Sequence, residues 1–203
     1  MKLSILICSL ESRSESLYKL LESLHNQFID IKPIKLATRI NNTVLLRLVY
    51  KDVEILISQD NKQLSVGAKR NLLIEQSKGE YITFIDDDDQ VAPDYIDSLL
   101  QGIESGYDSI CFKVLYNPAG GTPKLVKYSA NYKDRELVTH FERATNHLMC
   151  TKRSIASKVK FKNISFGEDA IWAKSLVRLI KNEGQIDKVL YYYNFDHAKS
   201  ETQ

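Results

Sequence analysis

The sequence predicts an α/β fold, with one mixed, mainly parallel sheet carrying helices on both faces and built as a single domain. Three observations predict it. Compact apolar runs without helical spacing alternate with segments whose apolar residues recur every three or four positions, giving a β-α-β-α-β succession through the first half. The chain has 203 residues, a length that one hydrophobic core can organise. Only eight glycines and four prolines are present, which leaves little material for a flexible linker.

The elements follow in order. Residues 3–8 (LSILIC) are an apolar run of strand length, expected to be buried on both faces. Leu17, Leu20, Leu21 and Leu24 then share one helical face, with Ser14 placed to cap its start. Residues 53–57 make a second strand, 65–77 a helix closed by Gly79, and 81–85 a third strand. Pro93 opens a helix through PDYIDSLLQGIE, and 108–116 return as a strand. Residues 117–134, with Gly120, Gly121 and two prolines, form the clearest loop. A strand near 146–151, a helix from Glu168 to about Lys181 and the aromatic run LYYYNF complete the chain.

An apolar share of 43% and a charged share of 27% suit an ordinary folded domain. No stretch approaches the apolar length that crosses a bilayer. The N-terminal run lacks a small-residue cleavage site and is expected to be the first strand rather than a signal peptide. Cys8, Cys111 and Cys150 are odd in number and set in apolar runs, which suits reduced, buried thiols and a cytoplasmic location. The net charge of +2 names no partner. Residues 143–167 hold six basic residues and no carboxylate, which is either a solvated face or a basic lip for an anionic ligand.

Three features carry chemistry. In YITFIDDDDQVAP, an apolar strand delivers Asp86, Asp87, Asp88 and Asp89 at its carboxyl end, where such sheets bind ligands. Packed carboxylates repel unless protonated, solvated or neutralised by a cation. In an extended chain Asp86 and Asp88 point to one side, and Asp87 and Asp89 to the other. Two hard oxygens on one face suit Mg²⁺ or Mn²⁺ shared with a diphosphate, and the alternative is an acidic turn capping the next helix. In SVGAKRNLLIEQ, Arg70 falls beside the buried helical face, placed either to pair with an aspartate or to hold a phosphate. In SFGEDAIWAKSL, Glu168 and Asp169 open a helix, and Asp169 shares its apolar face with Trp172, Ala173 and Leu176. There it either meets the helix dipole or acts as a base towards an acceptor hydroxyl.

The order of these features, with LSILICSLESR, EILISQDN, GAKRNLL, GEYITFIDDDD followed by Pro-Asp-Tyr, and FGED, resembles the family 2 glycosyltransferases of the GT-A (Rossmann-like) fold. The resemblance covers nearly the whole chain. It implies a nucleotide-sugar-binding half over residues 1–116 and an acceptor-binding half over 117–203. Ser9 would line the nucleoside pocket, Asp60 would read the uracil edge, and Arg70, next to Lys69, would approach the diphosphate. Asp86 and Asp87 would lie at the donor and Asp88 would bind Mn²⁺ or Mg²⁺, with Asp89 beside it. His197 falls where many members keep a histidine near the metal or phosphate. Asp169, next to Glu168, matches the family's base, which implies an inverting reaction. The sequence departs from the family after the first strand (Cys8-Ser9-Leu10), after the second (Gln59-Asp60-Asn61), and in lacking Gly-Gly-Phe before Glu-Asp.

The expected function is an inverting, metal-dependent transfer from a nucleotide-sugar, a UDP-sugar, to an acceptor glycan. Short relatives of phages and large DNA viruses extend the acceptors to hydroxymethylpyrimidines in DNA, a modified nucleic acid, in which case the cytoplasm is that of the host. A nucleotidyltransferase is disfavoured by the absence of a glycine-rich loop after the first strand. A non-catalytic module that binds nucleotide-sugar or nucleic acid is the alternative from another class.

Overall fold

A computed structural model of the chain describes residues 1–28, 31–40 and 42–195. Strand β1 (Leu3–Leu10) leads through a single 3-10 turn into helix α1 (Ser14–His25). An antiparallel hairpin follows, β2 (Ile34–Ile40) and β3 (Thr43–Tyr50), and then β4 (Val53–Asp60), helix α2 (Val66–Gln76) and β5 (Tyr81–Phe84). The short β6 (Gln90–Val91) precedes α3 (Tyr95–Ile103) and the long β7 (Ser109–Pro118). The remainder is β8 (Lys124–Ser129), β9 (Arg135–Glu136), β10 (His140–Ala144), β11 (Cys150–Lys152), α4 (Arg153–Ala156), α5 (Glu168–Leu176) and β12 (Glu183–Phe195).

Among the described residues all strands join one mixed sheet, in the order β2-β3-β4-β1-β5-β11-β7-β8-β10-β9, with β12 on β7 and β6 on β12. The parallel core is β4-β1-β5, registered so that Leu10 faces Asp60 and Leu6 faces Phe84. Their carboxyl ends therefore finish at one rim of the sheet. Alternation along β1 supplies both layers. Leu3, Ile5 and Ile7 pack with Leu17, Leu20 and Leu24 of α1 and with Tyr95 and Leu99 of α3. Leu6 packs on the opposite face with Leu73 of α2, Ile155 of α4, and Trp172 and Leu176 of α5. Burying each such side chain is worth about 1.5–3 kcal/mol. All three thiols are free, and burial pushes the Cys8 thiol up to about 12. No helix among the described residues is long and apolar enough to cross a membrane.

Several expectations are corrected. The α1 N-cap is Arg13, and the Ser14 hydroxyl donates to the Glu11 carbonyl instead. Helix α2 ends at Gln76 without a left-handed glycine. Gly79 is required for a different reason, since a Cβ there would lie 2.5 Å from the Ser4 amide nitrogen. Residues 117–134 are not one loop: Gly120, at φ +72°, helps turn the chain into β8. The last helix stops at Leu176, five residues short of Lys181. The hairpin β2-β3 was not foreseen.

Candidate active site

The rim formed by the ends of β1, β4 and β5 collects most of the predicted residues. Ser9, on β1, is buried and donates from Oγ to Asp87 Oδ2 at 2.7 Å. Asp60 ends β4, and its carboxylate pairs with Lys69 Nζ at 2.5 Å. It also accepts from the amides of Lys62 at 3.2 Å and Leu64 at 2.9 Å. At 1% exposure Asp60 builds the loop after β4 rather than projecting from it. Lys69 donates in addition to the Ser9 carbonyl at 2.8 Å, tying α2 to β1. Beside these groups lies a cleft of about 290 Å³, lined by Leu10, Lys62, Leu64, Ser65, Val66, Lys69 and Ser165.

The acidic run does not stay extended. The Asp89 amide donates to the Asp86 carbonyl at 3.1 Å, closing a turn, so the sidedness is not set by an extended backbone. Instead Asp87 and Asp88 share Arg13: Nη1 lies 2.9 Å from Asp87 Oδ1, and Nη2 pairs with Asp88 Oδ2. Asp89 turns to β12, where Tyr191 donates its hydroxyl at 2.7 Å and Asn194 its amide at 2.8 Å. Tyr191 also accepts from the Asp86 amide at 3.1 Å. Burial pushes the Asp87 carboxyl up to about 6, against the pull of Ser9 and Arg13. Burial and the nearby Asp86 charge push Asp89 up to about 8. Asp88 is raised as well, again mainly by burial. The side chains of Asp86 and Asp88 keep 36% exposure each, whereas Asp87 and Asp89 are buried.

Arg70 follows Lys69 on α2 and is 5% exposed. Its Nη1 donates to Glu168 Oε1 at 2.7 Å, and its Nη2 to Asp86 Oδ1 at 3.2 Å. Burial opposes its charge, and the carboxylates around it more than offset that. The same Nη2 lies 3.0 Å from Nε2 of His147, a residue that the sequence reading passed over. His147 is 5% exposed. Its Nε2 lies 3.9 Å from Asp86 Oδ2, and its Nδ1 lies 3.9 Å from Asp169 Oδ2. The two carboxylates thus flank a single imidazole ring, each beyond hydrogen-bond distance. Asp169 sits at the start of α5 with its side chain 41% exposed, less inward than its helical face suggested, and the inward member of the pair is Glu168. Asp169 Oδ1 accepts from the Ala170 amide at 2.8 Å.

Arg13, Tyr191, Asn194 and His147 are the contributors that sequence patterns did not single out. Arg13 stands in the LSILICSLESR segment and Tyr191 in the aromatic run, so both were visible as motif neighbours without a role. His197 lies outside the described residues. Of the six basic residues in 143–167, Arg143 pairs with Glu136 and Lys152 with Asp108, and Arg153 donates to the Gly79 carbonyl. Lys158, Lys160 and Lys162 stay exposed. Among the described residues no group of three or more His, Cys, Asp or Glu side chains is placed to hold a metal ion by itself.

Comparison with known proteins places the chain in a wider group. The family model described as "Glycosyl transferase family 2" matches residues 4–164. A Campylobacter jejuni protein named GalNAc(5)-diNAcBac-PP-undecaprenol beta-1,3-glucosyltransferase is 28% identical over 144 residues, covering 67% of this chain and 45% of that protein. YwdF of Bacillus subtilis, an uncharacterized glycosyltransferase, is 27% identical over 149 residues, covering 70% of this chain and 55% of its own length. The chain therefore spans about half the length of the curated relatives it matches. The crystal structure of S. aureus TarS 1-349 in complex with UDP-GlcNAc superposes with a TM-score of 0.69 at 15% identity, over 100% of this chain and 62% of that one.

Proposed function

This chain belongs to glycosyl transferase family 2, and from that membership we propose that it transfers a sugar from a UDP-sugar to a hydroxyl of an acceptor glycan, with inversion at the anomeric carbon. The observation that carries the reading is the position of Asp86 and Asp169 on either side of His147, 3.9 Å from its two ring nitrogens, with the end of β5 and the start of α5 close together. UDP is taken from the TarS complex. A glycan acceptor is taken from the name of the C. jejuni relative. Residues 1–116 form the donor half and 117–203 the acceptor half.

In this reading the nucleoside rests in the 290 Å³ cleft. Ser9, Asp60 and Lys69 fix its walls through their mutual bonds. Arg70, buried and charged beside Asp86, offsets phosphate charge without having to reorganise. Asp169 accepts the proton of the acceptor hydroxyl while that oxygen attacks the anomeric carbon, and the carbon–oxygen bond to the diphosphate breaks from the opposite face. UDP leaves with the bonding electrons, and the product carries the inverted linkage. Glu168 keeps Arg70 in register from the same helical turn.

A divalent cation, Mn²⁺ or Mg²⁺, fits the donor set. Asp86 and Asp88 are the two partly open carboxylates of the run, and such ions commonly take one or two carboxylates together with substrate phosphates. Among the described residues no further His, Cys, Asp or Glu joins them, so the diphosphate would have to complete the site. When bound, the ion supplies positive charge to the departing diphosphate.

The test is release of nucleotide from UDP-, GDP- and CDP-sugars in Mn²⁺, with acceptor glycans added in turn. Asp169→Asn is expected to lower turnover by about 10²–10⁴-fold while leaving donor affinity within twofold, as loss of a general base does. Undiminished turnover in that variant, or no nucleotide release from any donor, would remove the reading and favour a binding module.

A further inference from the structure

His147 has a part that the reaction as described leaves unused. It is 5% exposed, and its Nδ1 is a buried polar atom without a hydrogen-bond partner among the described residues. Leaving such a group unpaired is costly, so its retention needs a reason. The other ring nitrogen settles its state. Nε2 lies 3.0 Å from Arg70 Nη2, and a guanidinium can only donate. Nη2 has two hydrogens, and the geometry uses one on Asp86 Oδ1 and the other on His147 Nε2. With Nε2 as the acceptor of that hydrogen, a neutral ring carries its proton on Nδ1. That Nδ1–H faces Asp169 Oδ2 at 3.9 Å, roughly 1 Å beyond a hydrogen bond.

We propose that His147 is the positioning residue of Asp169: its ring, held in one tautomer by Arg70, offers Nδ1–H to Asp169 Oδ2 and sets the carboxylate plane when the site closes on its substrates. This inference rests on the reading of Asp169 as the base. With Oδ1 already on the Ala170 amide, a second donor on Oδ2 fixes both oxygens of a side chain that is otherwise 41% exposed. His147 gives up no proton in the reaction, because the acceptor's proton goes to Asp169. The arrangement also links the two substrates. Asp86 and Arg70 lie at the donor and Asp169 at the acceptor, with the imidazole between them.

Two substitutions separate the ring's two sides. His147→Asn keeps a donor near the place of Nδ1, whereas His147→Gln presents its amide oxygen towards Arg70 and loses that donor. In UDP-sugar hydrolysis with Mn²⁺, His147→Gln is expected to lower kcat about tenfold to a hundredfold, the range seen when a partner that orients a reacting ligand is removed. KM for the donor should stay unchanged, and His147→Asn should retain most of kcat. Long-range ¹H–¹⁵N correlation of the His147 ring in the substrate-free protein should show the Nδ1–H tautomer, with the Nδ1 proton shifting in Asp169→Asn. An Nε2–H tautomer, or His147→Gln with normal kcat, overturns the proposal. If Asp169→Asn keeps full turnover, the base reading itself has failed. If Asp169→Asn is inactive and His147→Gln is not, only the positioning role has failed.

Discussion

Asp89 accepts hydrogen bonds from Tyr191 and Asn194 on β12, yet burial and the Asp86 charge still push its carboxyl up to about 8, and Asp87 to about 6. A carboxyl whose proton is held more tightly in the folded state stabilises the fold fully below its unfolded pKa of about 3.9, and loses that contribution as pH rises through the folded value. In EDTA, the melting temperature is therefore expected to fall between about pH 4 and pH 8, and Asp89→Asn should flatten the upper part of that decline in a thermal-denaturation series. A second expectation concerns the open pair. UDP with Mn²⁺ should raise the melting temperature more than either alone. Saturation a hundredfold above Kd is worth about 2.7 kcal/mol, or roughly 5–10 °C for a domain of this size. Asp88→Ala should abolish the Mn²⁺-dependent part. The acidic run itself was legible because four consecutive aspartates after an apolar strand are loud in any sequence. Their separate partners were not, because a turn at Asp86–Asp89 breaks the alternation on which the sidedness argument relied. His147 was not legible either. One histidine among apolar residues has no pattern, and its meaning comes from Arg70 and Asp169, which lie far from it along the chain.

At the scale of elements, α2 and the segment before α5 are clasped together. Gly67 donates its amide to the Ile164 carbonyl at 3.0 Å, and a Cβ at this position would lie 1.8 Å from the Lys162 carbonyl oxygen. Ser65 and Val66 bond Asn163 and Ser165 across the same seam. Gly67→Ala should destabilise the protein by about 1–3 kcal/mol, as overpacking does, measured by urea denaturation. It should also weaken UDP binding, because Ser65, Val66 and Ser165 line the cleft. The sequence reading placed α1, α2, α3 and β5 within a few residues, since α1 and α3 have a marked apolar face, α2 starts after the Ser65 cap and β5 is a continuous apolar run. It missed β2 because that strand is exposed on nearly every residue and so lacks a half-buried alternation. It missed β8 because the glycine pair looked like a long loop, although it turns a tight antiparallel hairpin.

For the whole molecule, one sheet runs through both halves, and β12 joins them by pairing with β7 while bonding Asp89 through Tyr191. Residues 1–116 and 117–203 thus share one sheet and cannot be separated at residue 116 without cutting paired strands. The sheet has an outer boundary at β2, whose Ile34 and Leu36 are 65% and 51% exposed. Beyond β2 no further strand of the described residues pairs. Bare backbone donors beside exposed aliphatic side chains invite another chain to extend the ladder. Lys35 and Arg39, both exposed on β2, would meet like charges in an antiparallel pairing of two copies centred on Ala37. In that register the two cations would oppose edge-to-edge pairing. Replacing both with valine should turn a clear, slowly ageing solution into one that forms growing, thioflavin-positive aggregates, followed by light scattering, while nucleotide release from the freshly purified protein stays as before.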